Sequence, residues 1–111
     1  MREWQIIVNH HTCHKLQEKG DNLKLERAIE HKAYFHTKND REKFITLVKK
    51  DKFNAQEELD VPFNKKIMYG IQFYRKDIPF YYDIDLITMQ LLDYSETCNG
   101  QYDGWESPLV K

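Results

Sequence analysis

Glycine, proline and cysteine are all scarce in this chain, at four, three and two residues. With four glycines a phosphate-cradling loop is hard to build, and no G-x-G-x-x-G, P-loop, G-x-S-x-G or H-E-x-x-H pattern occurs. No Gly/Ser/Pro-rich linker and no internal repeat divides the chain. Its 111 residues suit one core better than two, so a single domain over residues 1–111 is expected. The two cysteines, Cys13 and Cys98, are fewer than a small secreted domain uses as staples. Two free thiols in a reducing compartment are the simpler reading, with one disulfide as the alternative. No apolar run approaches the roughly 20 residues of a membrane span. The N-terminal stretch is a short apolar patch followed by His10, His11 and His14, which does not read as a signal peptide. A cytoplasmic location is the expectation.

Basic residues are absent from 77–110, which holds Asp77, Asp83, Asp85, Asp93, Glu96, Asp103 and Glu106. The first 76 residues carry 16 Lys/Arg against 11 Asp/Glu. The formal charge of −1 therefore hides a basic two-thirds and an acidic third. An acidic face repels nucleic acid and attracts a basic surface. The plainer reading is a solvated face that keeps the protein soluble. Aromatic residues make up 14 % of the chain, and each can bury about 150–250 Å², so a core can be filled.

Hydrophobic periodicity predicts a helix over about 4–18, although Gln5–Asn9 also suits a strand. Gly20-Asp21-Asn22 marks a turn. Ile29, His31, Ala33 and Phe35 alternate with polar neighbours, predicting a strand over 28–37. A helix over 40–51 follows, with Asn39 as N-cap and Glu42 completing a capping box. A short strand is expected at 53–58, a loop around Pro62 and Asn64, and a clear strand at 66–75. The last helix is expected over 84–98, capped by Asp83, with Asp85 near the positive helix end and Gly100 as the αL residue after it. A final strand covers 101–109.

This order predicts an α+β fold, a ferredoxin-like βαββαβ sandwich with an extra N-terminal helix. Both later helices should cover one sheet face, burying Phe35, Phe44, Val48, Ile71, Phe73, Ile87 and Leu91. The other face stays free for a site or for the N-terminal helix. RNA binding through central strands at 28–37 and 101–109 has little support, since Asp103 and Glu106 flank Tyr102 and Trp105.

The densest cluster of reactive side chains is His10-His11-Thr12-Cys13-His14. On a helix His10 and His14 lie one turn apart with Cys13 near, which makes a metal site or a Cys–His enzyme the alternative function. No second ligand pair occurs elsewhere, so no metal or other cofactor is expected.

Lys19-Gly20-Asp21-Asn22, the strand Arg27-Ala28-Ile29-Glu30-His31-Lys32-Ala33-Tyr34-Phe35, and Gly100-Gln101-Tyr102-Asp103-Gly104-Trp105-Glu106 occur in that order. In them the chain resembles the RraB family, the bacterial regulators of ribonuclease activity B. The resemblance covers about residues 15–109. It implies a ferredoxin-like variant, no cofactor, no catalytic activity, and inhibition of a ribonuclease by direct binding. The named regulators are strongly acidic with an acidic tail, whereas this chain is near neutral. The expected partner is a basic ribonuclease or, in an immunity role, a toxin nuclease, with no direct contact to nucleic acid and none to a membrane. Interface hot spots favour aromatics and nearby charge steers encounter, so the expected protein-binding residues are Tyr82, Asp83, Asp85, Tyr102, Asp103, Trp105 and Glu106. For Tyr102 and Trp105 the ordinary alternative is packing against the sheet. Asp103-Gly104 within a strand suggests a bulge or a sharp bend, with Gly104 supplying the conformation.

Overall fold

Alternation in Arg27–Phe35 sends Ile29, His31, Ala33 and Phe35 inward and Glu30, Lys32 and Tyr34 to the opposite face. That strand, β1, anchors the sheet in a computed structural model describing residues 2–111. Around it the chain forms α1 (Arg2–Glu18), α2 (Lys38–Lys50), β2 (Asn54–Phe63), β3 (Lys66–Asp77), α3 (Tyr81–Thr97) and β4 (Gly100–Glu106). The sheet order is β2-β3-β1-β4, with every neighbouring pair antiparallel. Two crossover helices over a sheet of this order make the ferredoxin-like arrangement.

The core lies between the sheet and α2 and α3. Phe35, Phe44, Val48, Ile71, Phe73 and Leu91 are buried there, and Ile87 is partly buried at its margin. The rings of Phe35, Phe44, Phe53 and Phe73 pack edge-on or tilted, with centroids 4.9–5.5 Å apart. The N-terminal segment is helical throughout. It packs on the helix layer beside α3, antiparallel to it: Arg2 reaches Asp93 and Glu96, Asn9 reaches Asp85 and Thr88, and Gln17 meets Tyr81. The far face of the sheet thus stays uncovered.

Several boundaries differ from the periodicity reading. Thr37, not Asn39, caps α2: its Oγ1 accepts the Asp40 N–H at 3.1 Å, so Asn39 and Glu42 lie inside the helix. Helix α3 begins at Tyr81, directly after Ile78-Pro79-Phe80, and no side chain caps it. Asp83 is a first-turn residue there, favoured by the helix dipole rather than by a capping bond. The αL residue after α3 is Asn99, at φ 56°. Gly100 opens β4 instead, because a Cβ at that position would lie 2.2 Å from the Phe35 ring. Pro62 sits within β2, where an edge strand tolerates the missing N–H. Asn64 and Lys65, both at positive φ, close a two-residue hairpin turn. The central strands are β1 and β3. Strand β4 forms an edge and ends at Glu106.

It ends there because residues 107–110 leave the sheet for a clamp. Arg27 and Asp21 form a buried, two-pronged ion pair at 2.9 and 3.1 Å. The guanidinium also donates to Leu25 O, Asn22 O, Ser107 Oγ and Pro108 O. Asp21 accepts the Val110 N–H, and Asn22 N–H donates to Val110 O. Burial pushes the Asp21 carboxyl up. The hydrogen bonds from Arg27 and Val110, with the charge of Arg27, outweigh burial and hold it below the usual value.

His31 is a further buried polar group. Its Nδ1 meets Tyr102 Oη at 2.7 Å, its ring stacks on Phe73, and its Nε2 has no partner among the described residues. Burial, and then the charge of Arg75, push its pKa down from 6.5 to about 3. The unfolded chain therefore binds a proton that the folded chain refuses throughout this window. Stability is full above about pH 6.5 and falls as pH drops towards 3.

Two outcomes follow. In urea titrations between pH 7 and about 4.5 the protein loses about 2–3 kcal/mol through His31 alone, and His31→Gln flattens that slope. Asp21→Ala, which leaves the Arg27 charge buried and unpaired, lowers stability by about 3–5 kcal/mol. The paired replacement Asp21→Leu with Arg27→Met recovers most of the loss by the same titration.

Candidate functional site

The acidic third is divided by the fold. On α3 the inward stripe is Ile84, Thr88, Leu91 and Ser95, so Tyr82 and Asp83 lie on the solvent side. Tyr82 is 77 % exposed. Leu86, one turn on, is exposed beside them. Asp85 is committed within the fold: Oδ1 accepts from Asn9 Nδ2 at 3.0 Å and Oδ2 meets His10 Nε2 at 2.8 Å. Asp93 and Glu96 pair with Arg2.

Strand β4 places the second group. Its pairing with β1 shifts between Lys32 and Ala33, so Asp103 is the extra residue of a bulge, and Gly104 takes φ 111°. Nothing crowds a Cβ at Gly104; the backbone angle alone asks for glycine. The bulge re-aims the residues on either side. Tyr102 turns inward to His31 and is buried. Burial, and then the charge of Asp103, raise its phenol well above the usual value, so it stays neutral. Trp105 turns toward α1 and packs against the small cluster of Cys13, Leu23, Ile29 and Ile84. Glu106 lies directly opposite Glu30 on β1. Together Glu30, Lys32, Gln72, Asp103, Gly104, Trp105 and Glu106 line a groove of about 130 Å³ on the open sheet face.

Of the seven residues expected from sequence, Tyr82 and Asp83 thus stand on the helix layer, and Asp103 and Glu106 rim the groove. Tyr102, Trp105 and Asp85 spend their polar atoms inside the molecule. The hub is Asn9, which no periodicity marked. It is fully buried; its Nδ2 donates to Asp85 and Thr88, and its Oδ1 accepts from Gln5 and, at 2.7 Å, from Trp105 Nε1. One amide therefore joins α1, α3 and β4. Because Asn9 and Cys13 face inward, the apolar stripe of Trp4, Ile7 and Val8 faces out, with Trp4 61 % exposed. Apolar spacing alone would have assigned that stripe to the core.

The histidine cluster is dispersed. Cys13 is buried with Sγ 3.0 Å from Pro79 O, and burial, followed by Asp85, pushes its thiol up to about 11. His14 pairs with Glu18 one turn on, and His11 projects outward. Among the described residues no three His, Cys, Asp or Glu side chains converge as metal ligands. Cys98 is also a buried free thiol, so no disulfide forms. No described helix is long and apolar enough to cross a membrane.

The family model described as RraB, regulator of ribonuclease activity B, matches residues 6–107. No curated protein matches the chain.

Removing the Asn9 amide strands the Trp105 N–H and one side of Thr88. Asn9→Ala is expected to cost about 1–3 kcal/mol. Hydrogen exchange should show α1 losing protection before the sheet does.

Proposed function

The chain belongs to the RraB family, the regulators of ribonuclease activity B, and from that premise we propose that it binds a ribonuclease directly and inhibits it without catalysis. It acts as one cytoplasmic domain over residues 1–111, and its partner is a protein whose contact surface is basic. The match across nearly the whole chain carries this reading. The distribution of charge supports it. A nuclease site is basic because it holds phosphate, and two groups of exposed acids, Asp83 on the helix layer and Asp103 with Glu106 on the sheet face, each offer a complementary charge. Tyr82, of a residue type enriched at interface centres, stands exposed beside Asp83, and Leu86 adds apolar area next to it. A net charge of −1, rather than a strongly acidic one, is the feature that favours a toxin nuclease as the target in an immunity role.

Of the acids, Asp85 is unsuitable as a probe, because reversing it would break its bonds to Asn9 and His10. The combined variant Asp83→Lys, Asp103→Lys and Glu106→Lys alters three exposed carboxylates instead. At low salt it should slow association with the inhibited nuclease by about tenfold or more. The deficit should shrink as salt screens the steering field. An unchanged on-rate for the folded variant at low salt would place the binding surface elsewhere.

A further inference from the structure

The pairing of β2 with β3 runs on to Phe63 and Lys66, past Phe35, where β1 ends opposite Tyr69. The last rows therefore form a two-stranded arm beyond the body of the sheet. On its helix side Arg41 ties the arm down through Glu58, Asp60 and Gly70 O, with its guanidinium 5.6 Å from the Tyr69 ring centre. On the open side alternation presents Leu59, Val61, Phe63 and Met68. Phe63 is 54 % exposed and Val61 39 %. Tyr34 extends this strip by lying across Gly70, where a Cβ would come 2.6 Å from its ring. The strip ends in Lys66 at the tip and in the Glu57–Gln72 row at the base.

We propose that this strip is a self-association surface, occupied by a second copy of the chain packed face to face. Its charge pattern is self-complementary. A two-fold axis across the strands lays the tip of one copy over the base of the other, so that Lys66 meets the partner's Gln72–Glu57 row and the apolar side chains meet between. Lys32, on the far side of Gln72, lines the neighbouring groove with Glu30, Asp103 and Glu106. Pairing through the β2 edge is disfavoured. Antiparallel edge pairing centred on Leu59 would set Glu58 against Asp60, and Pro62 offers no N–H. The strip measures about 20 Å by about 15 Å from strand rise and spacing. That is well short of the about 800 Å² per partner of a standard interface, so the dimer is weak and fills only at high concentration. This strip lies beside the Asp103–Glu106 groove on the same sheet face, and Gln72 borders both.

Sedimentation of the full chain across a concentration series tests the proposal. The wild type should shift from monomer to dimer as concentration rises. Lys66→Glu and Glu57→Lys should each keep it monomeric, and the two together should restore dimerisation. Phe63→Ser should also abolish it, with an unchanged circular dichroism spectrum. A wild type that stays monomeric up to near-millimolar concentration overturns the proposal. So does either single charge variant that dimerises as the wild type does. If the wild type is monomeric and Phe63→Ser weakens nuclease binding instead, the strip belongs to the nuclease and the second copy is rejected.

Discussion

The Asp21–Arg27 ion pair sits where three parts of the chain converge: the turn after α1, the start of β1, and the segment after β4. Two charges withdrawn from water cost several kcal/mol each unless their remaining hydrogen-bond sites are filled. Here the guanidinium reaches four further acceptors and the carboxylate gains a backbone N–H. The pair therefore works as a geometric constraint more than as a source of net stability. It sets where α1 ends relative to the sheet, draws residues 107–110 away from β4, and so fixes the length of that edge strand.

The residues through which the chain resembles its family are largely explained by this architecture. Gly20 supplies the positive φ of the turn, and Asp21 and Arg27 the clamp. Tyr102 closes the hydrogen bond to buried His31, Gly104 the bulge, and Trp105 the bond to Asn9 that seats α1. A recognisable signature can thus be a record of how one bulge and one buried amide hold three elements, α1, α3 and β4, in place. The recognition surface is then expected among side chains that the fold leaves free, namely Tyr82, Asp83, Leu86, Asp103 and Glu106.

The same logic accounts for the exposed apolar groups. Helix α1 turns Asn9 and Cys13 inward, because Asn9 satisfies Trp105, Asp85 and Thr88 at once, and the outward stripe is left with Trp4, Ile7 and Val8. The arm keeps Val61 and Phe63 in water because no described helix reaches the open face of the sheet. Arg41, buried between two acids and the Tyr69 ring, holds that arm in place from the other side.

The sequence by itself determined the identity and order of the seven elements, the ferredoxin-like class, and six of the seven expected core side chains. Those follow from local periodicity and side-chain size, which each segment carries alone. It also marked the irregularity at Asp103-Gly104 as a bulge or a sharp bend, and the pairing with β1 made it a bulge. Element ends were less legible: Thr37 and Asn39 are both adequate caps, and only packing chose between them. Gly100 looked like a helix terminator, but the ring of Phe35, 65 positions away in sequence, is what excludes a side chain there. Which strands are central, which face α1 covers, and which acids remain free were decided by tertiary structure. Each depends on contacts between segments far apart in the chain, as when Asn9 claims Asp85 and Trp105, and no local pattern encodes such a choice.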